Sequence, residues 1–124
     1  MRVKVTSKIC MTKDLGTHGN LFGGNMLAWM DEAAAIYAMQ VTKMPRIVSI
    51  KFAEIVFKQP VLEDDIICFF CEKPKKGNTS VTFDIFADVN GNEVFRTACT
   101  FVALDKYGRP HNIKWENVDN KYFE

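Results

Sequence analysis

The chain has 124 residues, the length of one ordinary domain, and 48% of them are hydrophobic and 25% charged. That is enough apolar matter for one core and too much for a disordered chain. The formal net charge of +1 excludes any global pull toward nucleic acid or an anionic membrane, so a basic site must be a local cluster.

The first segment, "MRVKVTSKICM", alternates apolar and polar residues and predicts a strand over 2–10, not a secretion signal. No apolar run approaches the ~20 residues of a membrane-spanning helix. The expected compartment is the cytosol. A loop, "TKDLGTHGNLFGG", leads into a helix predicted from about Gly24 to Gln40. Pro45 closes it, because the residue before a proline avoids helical angles.

Next comes "IVSIKFAEIVFKQP", a long strand whose apolar positions are Ile50 and Phe52, then Ile55 and Phe57. The odd step between Phe52 and Ile55 breaks a period of two and predicts a bulge or bend there. "DDIICFFCEK" is the third strand, and "PKKGN" the turn after it. "TSVTFDIFADV" alternates cleanly, placing Val81, Phe83, Ile85, Ala87 and Val89 on one face. "NGN" at 90–92 suits the positive φ of a type I′ hairpin turn. "EVFRTACTFVALD" is the last strand. The tail from Lys106 has no clear period and is assigned no regular structure.

The order is therefore a strand, one helix, then about four antiparallel strands, in a single α+β domain over 1–124. A helix with so little polar surface must be covered on most sides, and a strongly curved antiparallel sheet wrapped around it is the simplest cover.

The four cysteines are Cys10, Cys68, Cys71 and Cys99. "CFFC" lies in a predicted strand, where residues three apart point to opposite faces. No second pair at ligand spacing completes a zinc site. Buried, reduced cysteines are expected.

The helix carries two acids, Asp31 and Glu32. Helical neighbours three and four positions from Asp31 are Leu27, Ala28, Ala34 and Ala35. Three of the four are alanines, so Asp31 stands beside open space. A carboxylate in a cavity is a candidate functional group. Glu32 is better read as facing solvent or a subunit boundary. Gly23 and Gly24 open the helix, where unpaired backbone N–H groups can polarise a carbonyl or hold an anion. "GNLFGG" has neither the spacing of a dinucleotide fingerprint nor the Lys-Ser/Thr of a phosphate-binding P-loop.

Three stretches together, "GNLFGGNMLAWMDEAAAIYA", "VSIKFAEIVFKQPV" and "KKGNTSVTFDIF", resemble the hotdog-fold acyl-CoA thioesterases, in the cytosolic acyl-CoA hydrolase subgroup. The resemblance spans roughly residues 5–105. It implies a sheet wrapped around a central helix, the order already reached from periodicity. It implies hydrolysis of acyl-CoA thioesters, with Asp31 as general base or nucleophile. Asn20 would position substrate or water, and Gly23 or Gly24 would donate to the thioester oxygen. Some members carry His where this chain has Phe22. No role carries over to His18, which is read as a surface residue.

Thioester hydrolysis needs an activated water or a carboxylate attack and an oxyanion donor. It requires no metal, and no cofactor is expected beyond coenzyme A as part of the substrate. In "KPKKGNTS", Lys73, Lys75 and Lys76 precede Gly77. By charge alone this is a solvated turn. The resemblance favours a clamp for coenzyme A phosphates, with Lys75, Lys76, Gly77, Asn78, Thr79 and Ser80 as donors. Two other readings compete: a thioester hydratase or dehydratase, which would want a His paired with an acid, and a non-catalytic acyl-CoA sensor, which would not need Asp31.

Gly23 and Asp31 are eight residues apart, about 12 Å along a helix. A donor ~3 Å from the oxygen and a base within roughly 3.5 Å of the same carbon cannot both come from them comfortably. An antiparallel helix from a second subunit closes the gap and makes two equal sites. The resemblance also implies dimers, assembled further into tetramers or hexamers.

Overall fold

The computed structural model describes residues 1–124. Strand β1 is Val3–Ile9, helix α1 is Gly23–Thr42, β2 is Ile47–Phe52 and β3 is Val56–Phe57. Strand β4 is Ile66–Lys76, β5 is Ser80–Val89 and β6 is Asn92–Ala103. The strands form one antiparallel sheet in the order β1-β4-β5-β6-β2, with β3 continuing beside β6 beyond β2. Strands β1, β2, β4, β5 and β6 all touch α1, so the sheet curves around the helix as the sequence pattern requires.

The buried stripe of α1 is Met26, Met30, Ala33, Ala34, Tyr37, Ala38 and Val41. These positions recur every three or four residues, the period of one helix face. Against them lie Ile67, Phe69 and Cys71 of β4 and Val81, Phe83, Ile85 and Ala87 of β5. The helix ends at Thr42, two residues later than the pattern suggests. Lys43 takes a left-handed φ of 59° as its cap, and the Thr42 hydroxyl donates back to the Ala38 carbonyl at 2.7 Å.

The odd step between Phe52 and Ile55 is a real break: the sheet partner of β6 changes there from β2 to β3. A second irregularity, unmarked in the sequence, lies between Ser49 and Lys51. It drops Ile50 from the register and leaves it 61% exposed, not on the inner face with Phe52. Asn90 and Gly91, at φ 53° and 82°, make the expected hairpin turn. On the outer face, Arg96 pairs with Asp84 and Glu93, and the Arg2 and Arg96 guanidinium groups cover the Phe86 ring.

Two boundaries are corrected. Strand β4 runs past the predicted end at Lys73, so Pro74, Lys75 and Lys76 belong to it and not to the turn. Lys73 bulges at φ 57°, and the register with β5 shifts between Glu72 and Lys75. Pro74 is tolerated because β1 pairs no further than Cys71, so its missing N–H faces no neighbour. The tail is also ordered. Short 3₁₀ turns at Trp115–Asn117 and Asn120–Phe123 follow a turn in which the Asp105 carboxylate accepts the N–H groups of Tyr107 and Arg109. Ile113 and Val118 are buried beneath it. Its apolar residues are too irregularly spaced to announce a helix or strand, yet they find apolar partners. No helix is long and apolar enough to cross a membrane.

Tyr37 is fully buried at the centre of α1, edge-on to Phe83 and Tyr122, and its hydroxyl has no hydrogen-bond partner. A buried hydroxyl without a partner costs folding free energy. Tyr37→Phe is therefore expected to be neutral or to stabilise by up to about 1 kcal/mol, measured by denaturant unfolding. A clear loss of stability would reveal a bond to that hydroxyl.

Candidate active site

The helix start is held by the loop before it. The Asp14 carboxylate accepts from the Met11 N–H at 3.0 Å. The Asp14 carbonyl accepts from the Phe22 N–H and from the Asn25 carboxamide, both at 3.0 Å. The Leu21 N–H donates to Val61 at 2.8 Å, and a bridge joins Leu15 to Leu21. The chain from Asp14 to Phe22 is thus clamped onto the first turn of α1. Phe22, the N-cap, offers no side-chain acceptor. The N–H groups of Gly23 and Gly24 have no acceptor inside the helix and remain free.

Gly23 lines a cavity of about 390 Å³ together with Asn20, Met26, Phe57, Val61 and Val94. The Asn20 carboxamide makes no hydrogen bond within the chain, while its backbone carbonyl accepts from Gly16. A polar side chain and a free N–H therefore meet a hollow of mixed lining, in which Lys58 and Gln59 face the apolar Met26, Phe57, Val61 and Val94. Gly24 does not line it. A Cβ there would sit 2.7 Å from the Phe22 ring, so Gly24 makes room for the capping residue. At Gly23 a Cβ would meet only Phe57, at 3.7 Å, an ordinary contact. Of the two glycines, only Gly23 lines the hollow.

Asp31 lies elsewhere. It lines a separate depression of about 360 Å³ between α1 and β2, with Ala28, Glu32, Ala35, Ser49 and Phe101. Ala28 and Ala35 line this depression, but Ala34, the third alanine the spacing sets beside Asp31, is buried in the core and opens no space. In one chain, however, both acids are exposed, not buried as a fully wrapped helix would have them. The sheet ends at β2, and the helix face beyond that edge has no cover. Neither acid has a cationic partner within 4.0 Å. The two hollows share no lining residue. A single chain therefore does not bring Asp31 to Gly23 and Asn20.

Ser49 is a hydroxyl in the depression of Asp31 that motif reading passes over. Its one signal is a lone polar residue between Val48 and Ile50. His18 is exposed, in keeping with a surface role. No group of three or more His, Cys, Asp or Glu side chains is arranged to hold a metal.

The lysine turn is tighter than its sequence suggests. The Gly77 N–H donates to the Ser80 carbonyl at 2.8 Å, and a Cβ on Gly77 would fall 2.3 Å from the Ser80 hydroxyl. Lys73, Lys75 and Lys76 are exposed and have no carboxylate partner within 4.0 Å. Gly77, Asn78, Thr79 and Ser80 all lie at this one end of the β4–β5 hairpin, but the Gly77 N–H is spent inside the turn and is not free to donate to a ligand.

The model of the thioesterase superfamily matches residues 18–94. The acyl-CoA thioester hydrolase YciA of Escherichia coli is 29% identical over 121 residues, covering 90% of this chain and 91% of its own. A hexameric thioesterase from Yersinia pestis is similar in structure, with a TM-score of 0.84 at 27% identity, covering 90% of this chain and 94% of that one. A hexameric hotdog fold thioesterase of Campylobacter jejuni has a TM-score of 0.82 at 28% identity, covering 91% of each chain.

The cysteines are not placed to act as nucleophiles. All four are free, and only Cys68 is not buried; Cys68 and Cys71 face opposite sides of β4. Burial pushes the Cys71 and Cys99 thiols well above their ordinary range, and the Asp31 carboxylate adds to the effect at Cys99. Burial, then Asp14, raises Cys10. A thiol held protonated reacts slowly. In native protein at neutral pH, no more than one thiol per chain, Cys68, is expected to react rapidly with a thiol reagent, and all four after unfolding. Rapid labelling of Cys71 or Cys99 in the native protein would contradict this.

Proposed function

The chain belongs to the thioesterase superfamily, and from that premise we propose that it hydrolyses acyl-CoA thioesters to a free acid and coenzyme A. The observation that carries the mechanism is the separation of two half-sites. Gly23 and Asn20 face one hollow, and Asp31 faces another about two helical turns away. A second chain, related by a two-fold axis with its helix antiparallel, lays one chain's Gly23 beside the other's Asp31. Strand β2 supports this arrangement. It is an open sheet edge with Val48 and Ile50 exposed, beside the uncovered face of α1 that carries Met39. Such an edge calls for a partner. The relatives from Yersinia pestis and Campylobacter jejuni are hexameric, which agrees with a dimer as the smallest working unit.

In the completed site, the thioester carbonyl oxygen accepts from the Gly23 N–H, backed by the positive end of α1. Asn20 orients the carbonyl or the attacking water. Asp31, from the other chain, takes a proton from that water as it adds to the carbonyl carbon. The tetrahedral oxyanion collapses, the C–S bond breaks, and the departing thiolate takes up a proton to give coenzyme A. The same carboxylate can instead attack directly and form an acyl-enzyme anhydride that water then opens. Both routes need Asp31 ionised and close to the carbon. Burial of Cys10, Cys71 and Cys99 takes those thiols out of contention and leaves Asp31 the natural candidate. The substrate's nucleotide phosphates meet Lys75 and Lys76, the free N–H groups of Asn78 and Thr79 and the Ser80 hydroxyl, while the Gly77 N–H is already taken by the Ser80 carbonyl.

Release of free thiol from acyl-CoA by the purified protein tests the activity directly; binding of acyl-CoA without release would make the chain a sensor instead. Asp31→Asn is expected to lower kcat by at least ~10²-fold, the size of an acid–base loss, with little change in affinity for coenzyme A. Glu32→Gln is expected to matter less. A folded Asp31→Asn protein with near-normal turnover would remove Asp31 from the mechanism.

A further inference from the structure

The turn after Lys76 is not held by its own hairpin alone. Its carbonyl groups are taken by donors from outside it. The Trp115 indole N–H donates to the Gly77 carbonyl at 2.7 Å. The Ile113 N–H donates to the Asn78 carbonyl, and the Ala103 N–H to the Thr79 carbonyl, both at 2.8 Å. Two of these three donors lie in the C-terminal tail. With the carbonyls engaged, the N–H groups of Asn78 and Thr79 are left without an acceptor in the protein. A turn whose acceptors are used up and whose donors are free suits an anion.

The same tail restrains the charge. The Lys76 ammonium lies 4.6 Å from the centre of the Phe123 ring and 5.7 Å from that of Trp115. Those two rings meet edge to face at 5.6 Å. A cation over aromatic faces keeps its charge and its three N–H donors while losing much of its freedom to wander. A free lysine otherwise gives up much side-chain entropy when a ligand fixes it. The tail itself is anchored through buried Ile113 and Val118, so the rings rest on the core.

We infer that the C-terminal tail is part of the coenzyme A site: Trp115 and Phe123 are positioning residues that hold the Lys76–Thr79 turn ready for the phosphates of the substrate. The inference rests on the proposed phosphate clamp and adds to it. Loss of the Trp115 bond frees the Gly77 carbonyl and lets the turn relax. Loss of the Phe123 ring frees the Lys76 ammonium. Neither residue touches the reacting carbon, so both changes act on KM and not on the chemical step.

The test uses the full-length protein with Trp115→Phe, Phe123→Leu and a Lys75→Ala/Lys76→Ala pair. Affinity for free coenzyme A is measured by calorimetry. Kinetics are measured with acyl-CoA and with the matching acyl-pantetheine, which lacks the phosphates. Each tail variant is expected to weaken coenzyme A binding about threefold to tenfold, the worth of one interaction of this kind. KM for acyl-CoA should rise by a similar factor, with a much smaller effect on the pantetheine substrate. If the lysine pair weakens coenzyme A binding and the tail variants bind like wild type, the tail's role is overturned and the clamp stands. If the lysine pair also binds like wild type, the clamp falls and the tail's role with it. Equal losses on both substrates would mean the tail supports the fold as a whole, and would overturn its role at the phosphates.

Discussion

Eight residues of α-helix separate Gly23 from Asp31, and the helical rise fixes that separation at about 12 Å. The backbone hydrogen bonds of α1 make the distance stiff, so no side-chain rotation folds the two ends together. A hydrolytic site needs its oxyanion donor and its base on the same carbon. In the proposed mechanism, that mismatch is what a second chain resolves. The loop from Asp14 to Phe22 serves the Gly23 end, pinning it through the Asp14 carbonyl and leaving the Gly23 N–H unoccupied. The alanines on either side of Asp31 serve the other end, leaving a depression where a bulkier residue would fill it.

The same mismatch explains a helix with too little polar surface for a monomer. The sheet buries one stripe of α1, from Met26 to Val41, and stops at β2. Beyond that edge the helix still presents Ala28, Ala35 and Met39 beside two carboxylates. An apolar helix face next to an open strand edge is costly in water. A second chain that covers this region would satisfy the sheet edge, the apolar face and the divided site together. That coincidence of needs is why a dimer is the economical reading of one chain's geometry.

Much of this was legible in the sequence because it depends on period and spacing. The inner face of β5, from Val81 to Val89, follows from strict alternation. The break after Phe52 follows from one odd step. The open space beside Asp31 follows from which residues lie three and four positions away. The resemblance to hotdog thioesterases singled out Asn20, which a loop position alone does not mark. What was hidden depends on partners distant in the chain. The bulge at Ile50 arises from pairing with β6, and nothing local announces it. The extension of β4 through Pro74 is tolerated because its pairing with β1 stops at the Val3–Cys71 pair. The ordered tail hangs on Trp115 reaching Gly77, a contact across 38 positions. Ser49 reaches the depression beside Asp31 only because β2 lies against α1.

The shared site is the central claim, and subunit mixing tests it most directly. Asp31→Asn chains are mixed with Asn20→Ala chains under conditions of proven subunit exchange, and thioester hydrolysis is measured against each variant alone. A site built from Asp31 of one chain and Asn20 of the other gives every mixed dimer one intact site. Random mixing should then restore about a quarter of wild-type activity from two nearly inactive parents. No recovery despite exchange, or a fully active monomer, would contradict the account.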